Sequence, residues 1–402
     1  MTSIRSIGTV SMGWSGVRMG ERQASKTSAL DRIGWTELAR QELVDLIGIE
    51  SFSDHEHAAV DHLVRRCDRL GLPVRRLPVQ GSADDLLVGW SERPELLLTA
   101  HVDTVRPTWD WSGRAEARGD RIFGLGAQDD KGCVIAALLA LLMAQRAGAP
   151  VEELPVGVGL CVDEERGGKG SAAMAEALAP RFVIGLEGTG LRIGLAEAGF
   201  VEVWVRLSGD PVHGALRELG ENAIDNAVSL IERVRHHPAS QHVHPLLGRN
   251  IPMVWEIHGG EPLNVVPAAC DVHLDWRVTP GGPSSAELFD ELIAMAAELG
   301  GTVEPIEVVE PFETVDPRLP TALGAAIRRV TGRAAEPMGM VAWTDAHNFV
   351  DLAGSHAVIF GPGDLRDAHR PDESISLTDV LTCAEILARI AVVPRDLFGG
   401  DA

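Results

Sequence analysis

The stretch LLLTAHVDTV, residues 96–105, sets an apolar segment directly against a histidine and an aspartate. Three leucines open it, His101 closes the apolar part, and Asp103 follows two positions later. Unbroken apolar segments of this length are typical of strands in a sheet that is covered on both faces. Because side chains alternate along a strand, His101 and Asp103 point to the same side. The stretch therefore predicts a buried strand that carries a polar pair at its carboxyl end.

Composition bounds the possible functions of the chain. It has 402 residues, of which 45% are hydrophobic and 23% charged, a balance typical of globular proteins with two domains. The net charge of -22 argues against nucleic acid and anionic membrane as partners. The five cysteines form no C-x-x-C pair, which argues against a disulfide scaffold or a thiolate zinc site. With no signal peptide and no apolar run long enough to span a bilayer, we expect a cytoplasmic protein.

The pattern of apolar and polar residues, which predicts helices and strands, changes twice along the chain. Buried-looking strands alternate with helices up to about Gly194, which predicts an α/β fold: a mostly parallel sheet with helices on both faces. A β-α-β-β-α-β order follows, typical of a ferredoxin-like α+β unit, before the α/β pattern resumes. We therefore predict a catalytic domain over 31–195 and 309–402, an inserted domain over 196–308, and a flexible tail over 1–30.

Further polar residues stand where other predicted strands end. Asp129 precedes a helix, the acids of CVDEERGGKGS (161–171) follow an apolar strand, Glu187 ends VIGLE, and His369 lies in GPGDLRDAHRPDES (361–374). Taken singly, each has an ordinary explanation, such as a helix N-cap for Asp129 or a satisfied core histidine for His101. Taken together they favour a ligand crevice at the carboxyl ends of the strands, lined with the imidazole and carboxylate groups that zinc accepts.

These motifs, in this order and spacing from about residue 35 to the end, resemble the dinuclear zinc peptidases of the M20 family. That group includes acetylornithine deacetylase, succinyl-diaminopimelate desuccinylase and glutamate carboxypeptidase. The resemblance implies two Zn²⁺ per chain, with Co²⁺ or Mn²⁺ as possible substitutes. It implies that His101 and Glu187 hold one ion. It further implies that Glu165 and His369 hold the other and that Asp129 bridges both.

The resemblance also implies roles around the metals. Asp103 would orient His101, and Glu164 would be the general base that activates a water between the zinc ions. The peptide bond between Asp129 and Asp130 would be cis. Substrate-binding roles are implied for five residues: His213, Asn264, Arg277, Thr344 and Gly361. The inserted domain would act as a lid and dimerisation domain, so the resemblance implies a homodimer.

Three departures from the family pattern concern the substrate rather than the metals. The usual Glu-Pro-Thr/Ser is EGT here, and Glu197 stands near the position where the family often has a basic residue. In AWTDAH, Trp343 replaces a small polar residue, which would narrow the acyl pocket. We therefore expect the metal site of the family with an altered substrate pocket.

The expected function is hydrolysis of the amide bond of an N-acyl amino acid, as in acetylornithine deacetylase. An M20 carboxypeptidase or dipeptidase is the alternative within the same class, so the expected partner is a small N-acyl amino acid or a short peptide. A binding protein without activity on the same fold is a third hypothesis. Retention of every ligand and of Glu164 argues against it.

Overall fold

The computed structural model describes residues 24–149 and 154–392. Of the predicted tail, residues 1–23 lie outside the described residues, and residues 24–30 belong to the first helix. The helices are α1 (Ala24–Ile47), α2 (His57–Leu70), α3 (Gly132–Arg146), α4 (Lys169–Leu178), α5 (Ala223–His236), α6 (Pro238–Gln241), α7 (Ser285–Glu298), α8 (Arg318–Thr331), α9 (Ala346–Ala353) and α10 (Leu377–Ala391).

The strands fall into one large sheet, one four-stranded sheet and two small ones. They are β1 (Val74–Leu77), β2 (Asp85–Val88), β3 (Leu96–His101), β4 (Glu116–Arg118), β5 (Arg121–Phe123), β6 (Val156–Cys161), β7 (Phe182–Gly185), β8 (Ile193–Glu197), β9 (Gly199–Ser208), β10 (Val243–His244), β11 (Gly248–Arg249), β12 (Pro252–Gly259), β13 (Ala269–Val278), β14 (Gly301–Val309), β15 (Phe312–Glu313), β16 (Pro337–Met340), β17 (His356–Ile359) and β18 (Ser374–Ser376).

The large sheet has nine strands in the order β1-β2-β6-β3-β7-β17-β8-β15, with β16 also paired to β8. Its centre, β6-β3-β7-β17, is parallel, whereas β1, β2 and β15 pair antiparallel at the flanks. Every residue of β3, β6 and β7 is buried, because helices cover both faces. The predicted α/β fold class is therefore confirmed, with antiparallel flanks added to the parallel centre.

Two hydrophobic clusters flank this sheet. Helices α1, α3 and α10 contribute to the larger cluster, and α4 and α9 contribute to the smaller one on the opposite face. Gly159 of β6 lets α4 approach closely, since a Cβ there would collide with the sulfur of Met174. The carboxyl ends of the central strands are left open at one edge of the sheet, where a ligand crevice is expected.

The four-stranded sheet has the order β12-β13-β9-β14, with every pairing antiparallel. Its elements follow the chain order β9, α5, β12, β13, α7, β14, the predicted ferredoxin-like succession with small additions around α6. One face packs its apolar side chains against α5 and α7 in a separate core. The other face, which begins with Phe200, Glu202 and Trp204, does not contribute to this core in the described structure.

The separate core supports the proposed division of the chain into 31–195 with 309–402 and an insertion over 196–308. β9 begins at Gly199 and β14 ends at Val309, close to those boundaries.

Across 24–149 and 154–392, no helix combines the length and the apolar character needed to cross a membrane.

Candidate metal centre and active site

Four chain segments bring acids and histidines to the same edge of the large sheet. His101 is the last residue of β3, and Glu187 follows β7 by two positions. Glu164 and Glu165 follow β6, and His369 lies in the loop between β17 and β18. Because β3, β6, β7 and β17 run parallel, these carboxyl ends meet.

Asp129 lies between the two histidines. Its Oδ1 is 2.9 Å from Nε2 of His101, and its Oδ2 is 3.2 Å from Nε2 of His369. Nε2 of His369 is also 2.9 Å from Oε1 of Glu165. One carboxylate thus faces a histidine with each of its two oxygens, which is the arrangement a bridging ligand needs.

The described residues offer two groups of metal-ligating side chains, His101–Asp129–Glu187 and Asp129–Glu165–His369. Within each group the ligand atoms lie within 4.8 Å of one another. Each group combines one imidazole with two carboxylates, a nitrogen and oxygen donor set that suits zinc and other divalent cations. The residues therefore fit two ions that share Asp129.

The buried carboxylates at this edge of the large sheet favour the binding of cations. Burial raises the pKa of Glu164 and of Glu187, and neighbouring carboxylates add to the rise. Burial also opposes ionisation of Asp129, but hydrogen bonds with the rings of His101 and His369 lower its pKa overall. Hydrogen bonds with Asp129 and Glu165 raise the pKa of His369 to about 10. Divalent cations would stabilise the ionised carboxylates and displace the protons from the imidazoles.

Asp103 joins the histidine of one strand to the acidic segment that follows another. Its Oδ1 lies 3.4 Å from Nδ1 of His101, whose ring also lies 3.1 Å from the backbone oxygen of Asp103. The backbone N–H groups of Glu164 and Glu165 donate to its two carboxylate oxygens, both at 3.1 Å. Ser53 Oγ donates to it at 2.8 Å. From the sequence, Asp103 was expected to orient His101 only; its hydrogen bonds to the backbone of residues 164–165 are seen only in the structure.

The turn that carries Asp129 is fixed by buried acids. The peptide bond between Asp129 and Asp130 is cis, as the family resemblance implies. Asp130 accepts a hydrogen bond from the backbone N–H of His101 at 3.1 Å. Glu373 accepts the N–H groups of Gln128 and Asp129 at 2.9 and 3.2 Å. Glu373 was not predicted from the sequence, although it stands only four residues after His369.

A cavity of about 240 Å³ opens beside the ligand groups. Its lining comes from both sheets and their loops: Asp129, Glu164, Glu165, Arg166, Gly167, Glu187, Phe200, Glu307, Met340, Ala342, Trp343, Thr344, Leu365 and His369. Thr344 is the one predicted substrate-binding residue in this lining, and its hydroxyl donates to Oε2 of buried Glu197 at 2.6 Å. Phe200 and Glu307 were not anticipated from the sequence.

Two other predicted substrate residues lie just behind the cavity wall. The guanidinium of Arg277 packs 4.8 Å from the ring centre of Phe200 and donates to Asp275 at 2.9 Å and to the backbone oxygen of Val341 at 3.3 Å. Gly361 packs against the backbone of Glu187, where a Cβ would collide with the carbonyl oxygen. It leaves room for that ligand and is not part of the cavity surface.

His213 and Asn264 lie away from this cavity. Both are exposed, and the backbone oxygen of Asn264 accepts the N–H of Gly214 at 2.7 Å. Nδ1 of His213 accepts the N–H of Ala215 at 3.1 Å. Neither residue lines the cavity of its own chain, so the described chain does not bring them together with the ligand groups.

Comparisons with known proteins agree with this geometry. The model of Peptidase family M20/M25/M40 matches residues 97–392. An acetylornithine deacetylase of Myxococcus xanthus is 31% identical over 314 residues, covering 74% of this chain and 80% of the relative. A probable carboxypeptidase of Aspergillus terreus is 28% identical over 362 residues, covering 84% and 82%.

Solved structures share the fold. The aminopeptidase PepT from Bacillus cereus superposes with a TM-score of 0.72 at 19% identity, covering 89% of this chain and 98% of the other. An M20 family metallo-carboxypeptidase from Sulfolobus solfataricus gives 0.71 at 18% identity, covering 88% and 98%.

Proposed function

Because the chain belongs to peptidase family M20/M25/M40, a family of hydrolases, we propose that it cleaves the amide bond of an N-acyl amino acid with the help of two metal ions. The observation that carries this proposal is the Asp129 carboxylate, which faces His101 with one oxygen and His369 with the other. Zn²⁺ is the proposed ion, because each ligand group has one imidazole and two carboxylates. Co²⁺ and Mn²⁺ are the proposed substitutes.

Glu164 is the proposed general base. It lines the cavity but belongs to neither ligand group, and its Oε2 lies 3.9 Å from Nε2 of His101. Bound divalent ions would supply Lewis-acid activation of the water and of the scissile carbonyl. Glu164 takes a proton from the attacking water and passes it to the leaving nitrogen as the C–N bond breaks. The products are a carboxylate and a free amine.

Asp103 and Glu373 are the proposed positioning residues. Asp103 holds the backbone of Glu164 and Glu165 through hydrogen bonds, and Glu373 holds the turn of Asp129. Partners of this kind fix the orientation of metal ligands and raise their basicity. Both residues are buried, and neither lines the cavity.

Acetylornithine is the first proposed substrate, because acetylornithine deacetylases stand among the relatives. The second candidate is a short peptide with a free carboxyl end, since relatives named as probable carboxypeptidases match a similar share of the chain. In either case Arg277 is the proposed partner of the substrate carboxylate, as its fork can bind two oxygens. Reaching a substrate would require Arg277 to share or release Asp275, its present partner.

A substrate panel tests the proposed function. The zinc-loaded protein is assayed with Nα-acetylornithine, N-succinyl-diaminopimelate and a dipeptide series. We expect the highest kcat/KM for Nα-acetylornithine. Faster hydrolysis of the dipeptides would establish the second candidate instead, and no hydrolysis of any member would contradict both.

We further propose a homodimer that exchanges residues between active sites. His213 is exposed and away from the cavity of its own chain, so it is free to serve a neighbouring one. β12 is an edge strand of the four-stranded sheet, and Met253, Trp255 and Ile257 on it are about half exposed. An exposed apolar edge of this kind is a natural site for a second copy. The inserted domain would thus act as the proposed lid and dimerisation domain.

The proposed compartment is the cytoplasm. All five cysteines of the chain are buried and free of disulfides, which suits a reducing environment.

A further inference from the structure

Glu307 is the one acid of the cavity wall that the metal ligands and the proposed base leave out. Five carboxylates line the cavity: Asp129, Glu164, Glu165, Glu187 and Glu307. The first four are ligands or the proposed base. Glu307 comes from a different part of the fold, strand β14 of the four-stranded sheet. Its presence in the cavity therefore needs an explanation of its own.

Glu307 ends a row of three acids that lie directly opposite one another on adjacent strands. Glu202 of β9 pairs in register with Asp275 of β13 on one side and with Glu307 of β14 on the other. Like charges in such cross-strand pairs are destabilising. A row of this kind is therefore not explained by the stability of the sheet.

Two acids of the row have a nitrogen-bearing side chain within hydrogen-bond distance, whereas the third has none among the described residues. Asp275 accepts from Arg277 at 2.9 Å, and Glu202 lies 2.7 Å from Nε2 of His273. Within residues 24–149 and 154–392, Glu307 takes part in no side-chain hydrogen bond or ion pair. The acid without a partner is the one that lines the cavity.

A β-bulge turns Glu307 toward this face. The register between β14 and β9 shifts between Pro305 and Glu307. Glu304 pairs with Trp204 and Glu307 with Glu202, two positions apart on β9, so the extra residue in β14 brings both glutamates to the same face. Bulges commonly redirect a side chain beside a functional site. Without it, Glu307 would point to the opposite face of the sheet.

Arg277 meets only one of the two carboxylate oxygens of Asp275, the buried acid of the row. The residue is only 3% exposed, and its Oδ1 has no hydrogen-bond partner in the described structure. Burial raises the pKa of Glu307, the charge of Glu202 raises it further, and the nearby ring of His347 lowers it.

The arginines near the cavity do not neutralise Glu307. Arg166, which lines the cavity, pairs with Asp54, and Arg277 pairs with Asp275. The wall formed by the four-stranded sheet therefore offers a substrate a net negative charge at Glu307. A cationic group is the chemical partner that fits it.

We propose that Glu307 determines specificity by binding a cationic group of the substrate, the ammonium or guanidinium of a basic amino acid. This inference rests on the proposed function, because it identifies which N-acyl amino acids the cavity accepts. An anionic acyl group or side chain at this wall would face Glu307 and be repelled. The substrate class is thus an N-acylated basic amino acid with a neutral acyl group.

The test compares two substrates that differ by one charge. Nα-acetylornithine and N-acetylnorvaline share the same backbone and side-chain carbons, but only the first carries a terminal ammonium. We expect wild type to favour the ornithine derivative in kcat/KM and Glu307→Gln to lower that preference roughly fivefold, the effect of one partly exposed ion pair. The loss should come mainly from KM of the cationic substrate.

Glu304→Gln is the matched control. Glu304 lies on the same strand, is exposed, and pairs with Arg206 outside the cavity. The same change of charge there should leave the preference within a factor of about two. An equal loss in both variants would mean that general electrostatics, and not Glu307, sets the preference. An unchanged preference in Glu307→Gln would overturn the proposal.

Calorimetry can measure the binding of ornithine and norvaline without any hydrolysis, so it tests the cation site independently of the proposed function. If the zinc-loaded protein hydrolyses neither N-acetyl substrate, the proposed function fails. Tighter binding of ornithine than of norvaline, lost in Glu307→Gln and kept in Glu304→Gln, would still support the cation site. Equal binding of the two amino acids by wild type would contradict it.

Discussion

Asp129 organises the candidate metal centre at the scale of single residues. Its carboxylate is the one side chain common to both ligand groups, and each of its oxygens faces a different histidine. Asp103 fixes one of those histidines together with the backbone of Glu164 and Glu165. Adjacent glutamates in the same loop are thus held in different positions, one within a ligand group and one beside it. This difference predicts different consequences when each is changed.

Glu164→Gln should lower turnover by orders of magnitude while the protein keeps both metals. The amide preserves shape but cannot accept the proton of the attacking water, so kcat should fall by about 10²- to 10⁴-fold. Glu165→Gln is the matched variant. It removes a charged ligand from the Asp129–Glu165–His369 group and should reduce bound metal toward one ion per chain. Elemental analysis and steady-state kinetics on both variants separate the roles, and normal turnover by Glu164→Gln would show the assignment to be wrong.

Asp103→Asn should lower kcat and metal affinity together. An amide offers only one acceptor oxygen, so it cannot accept the N–H groups of both Glu164 and Glu165 while facing His101. Loss of such a supporting contact typically costs about 10- to 100-fold in affinity or activity.

Ser53→Ala provides the control for Asp103. It removes one hydrogen bond to the same carboxylate and leaves the acceptor oxygens in place, so its effect should be smaller. Zinc titration against a competing chelator and kinetics measure both. Equal effects of the two substitutions would mean that Asp103 acts only through its contact with Ser53.

At the scale of elements, the loop after β6 packs against Trp343, which precedes α9, and against Asn348 within α9. Gly168 adopts φ of 62°, and a Cβ there would lie 2.8 Å from Nδ2 of Asn348 and 3.0 Å from Cζ2 of Trp343. The side chain of Asn348 also donates to the backbone oxygen of Gly168 at 2.9 Å. Trp343, which stands where the family pattern has a small residue, fills the space that a Cβ at position 168 would need. Position 168 therefore favours glycine.

Gly168→Ala should destabilise the fold more than Gly332→Ala does. Gly332 has φ of 73° but open space where a Cβ would lie, so alanine there should cost about 1 kcal/mol for the backbone alone. At Gly168 the collision adds to that cost, for a total of about 2–4 kcal/mol. Urea denaturation compares the two variants. The double variant Gly168→Ala/Trp343→Ala should recover part of the difference, and equal losses at 168 and 332 would contradict the packing account.

Sequence patterns predicted the elements that carry the ligands better than the contacts between elements. Apolar strands ending in His101 and Glu187 were identifiable because burial on both faces removes polar residues from a strand. Sequence patterns gave no bounds for helices α4 and α9, since α4 is rich in alanine and begins in a glycine-rich loop and α9 has only eight residues. The bulge that redirects Glu307 depends on pairing with β9, which no local pattern encodes.

At the scale of the whole molecule, the cavity lies where the two sheets meet. Phe200 and Glu307 come from the four-stranded sheet, whereas Asp129, Glu164 and Glu187 come from segments around the large sheet. In the proposed function, the four-stranded sheet thus selects the substrate, and the segments around the large sheet carry out the hydrolysis. The exposed His213 belongs to the part that carries selection, which leads to the proposed exchange between subunits.

Co-expression of two inactive chains tests that exchange. A Glu164→Gln chain paired with a His213→Ala chain gives one active site with both groups intact and one that lacks both, if His213 serves the neighbouring subunit. With random pairing about half the dimers are mixed, so roughly a quarter of wild-type activity should return. Purified heterodimers without recovered activity would reject the shared site, and a monomer in sedimentation would reject it outright.

The most direct test of the central claim is the rate of Nα-acetylornithine hydrolysis as chelated protein is titrated with Zn²⁺. The shared Asp129 and the two ligand groups predict no turnover after exhaustive chelation. They also predict a rate that rises with added zinc and saturates at two ions per chain. Full activity after chelation, or no activity at any zinc content, would contradict a hydrolase built on His101, Asp129 and His369.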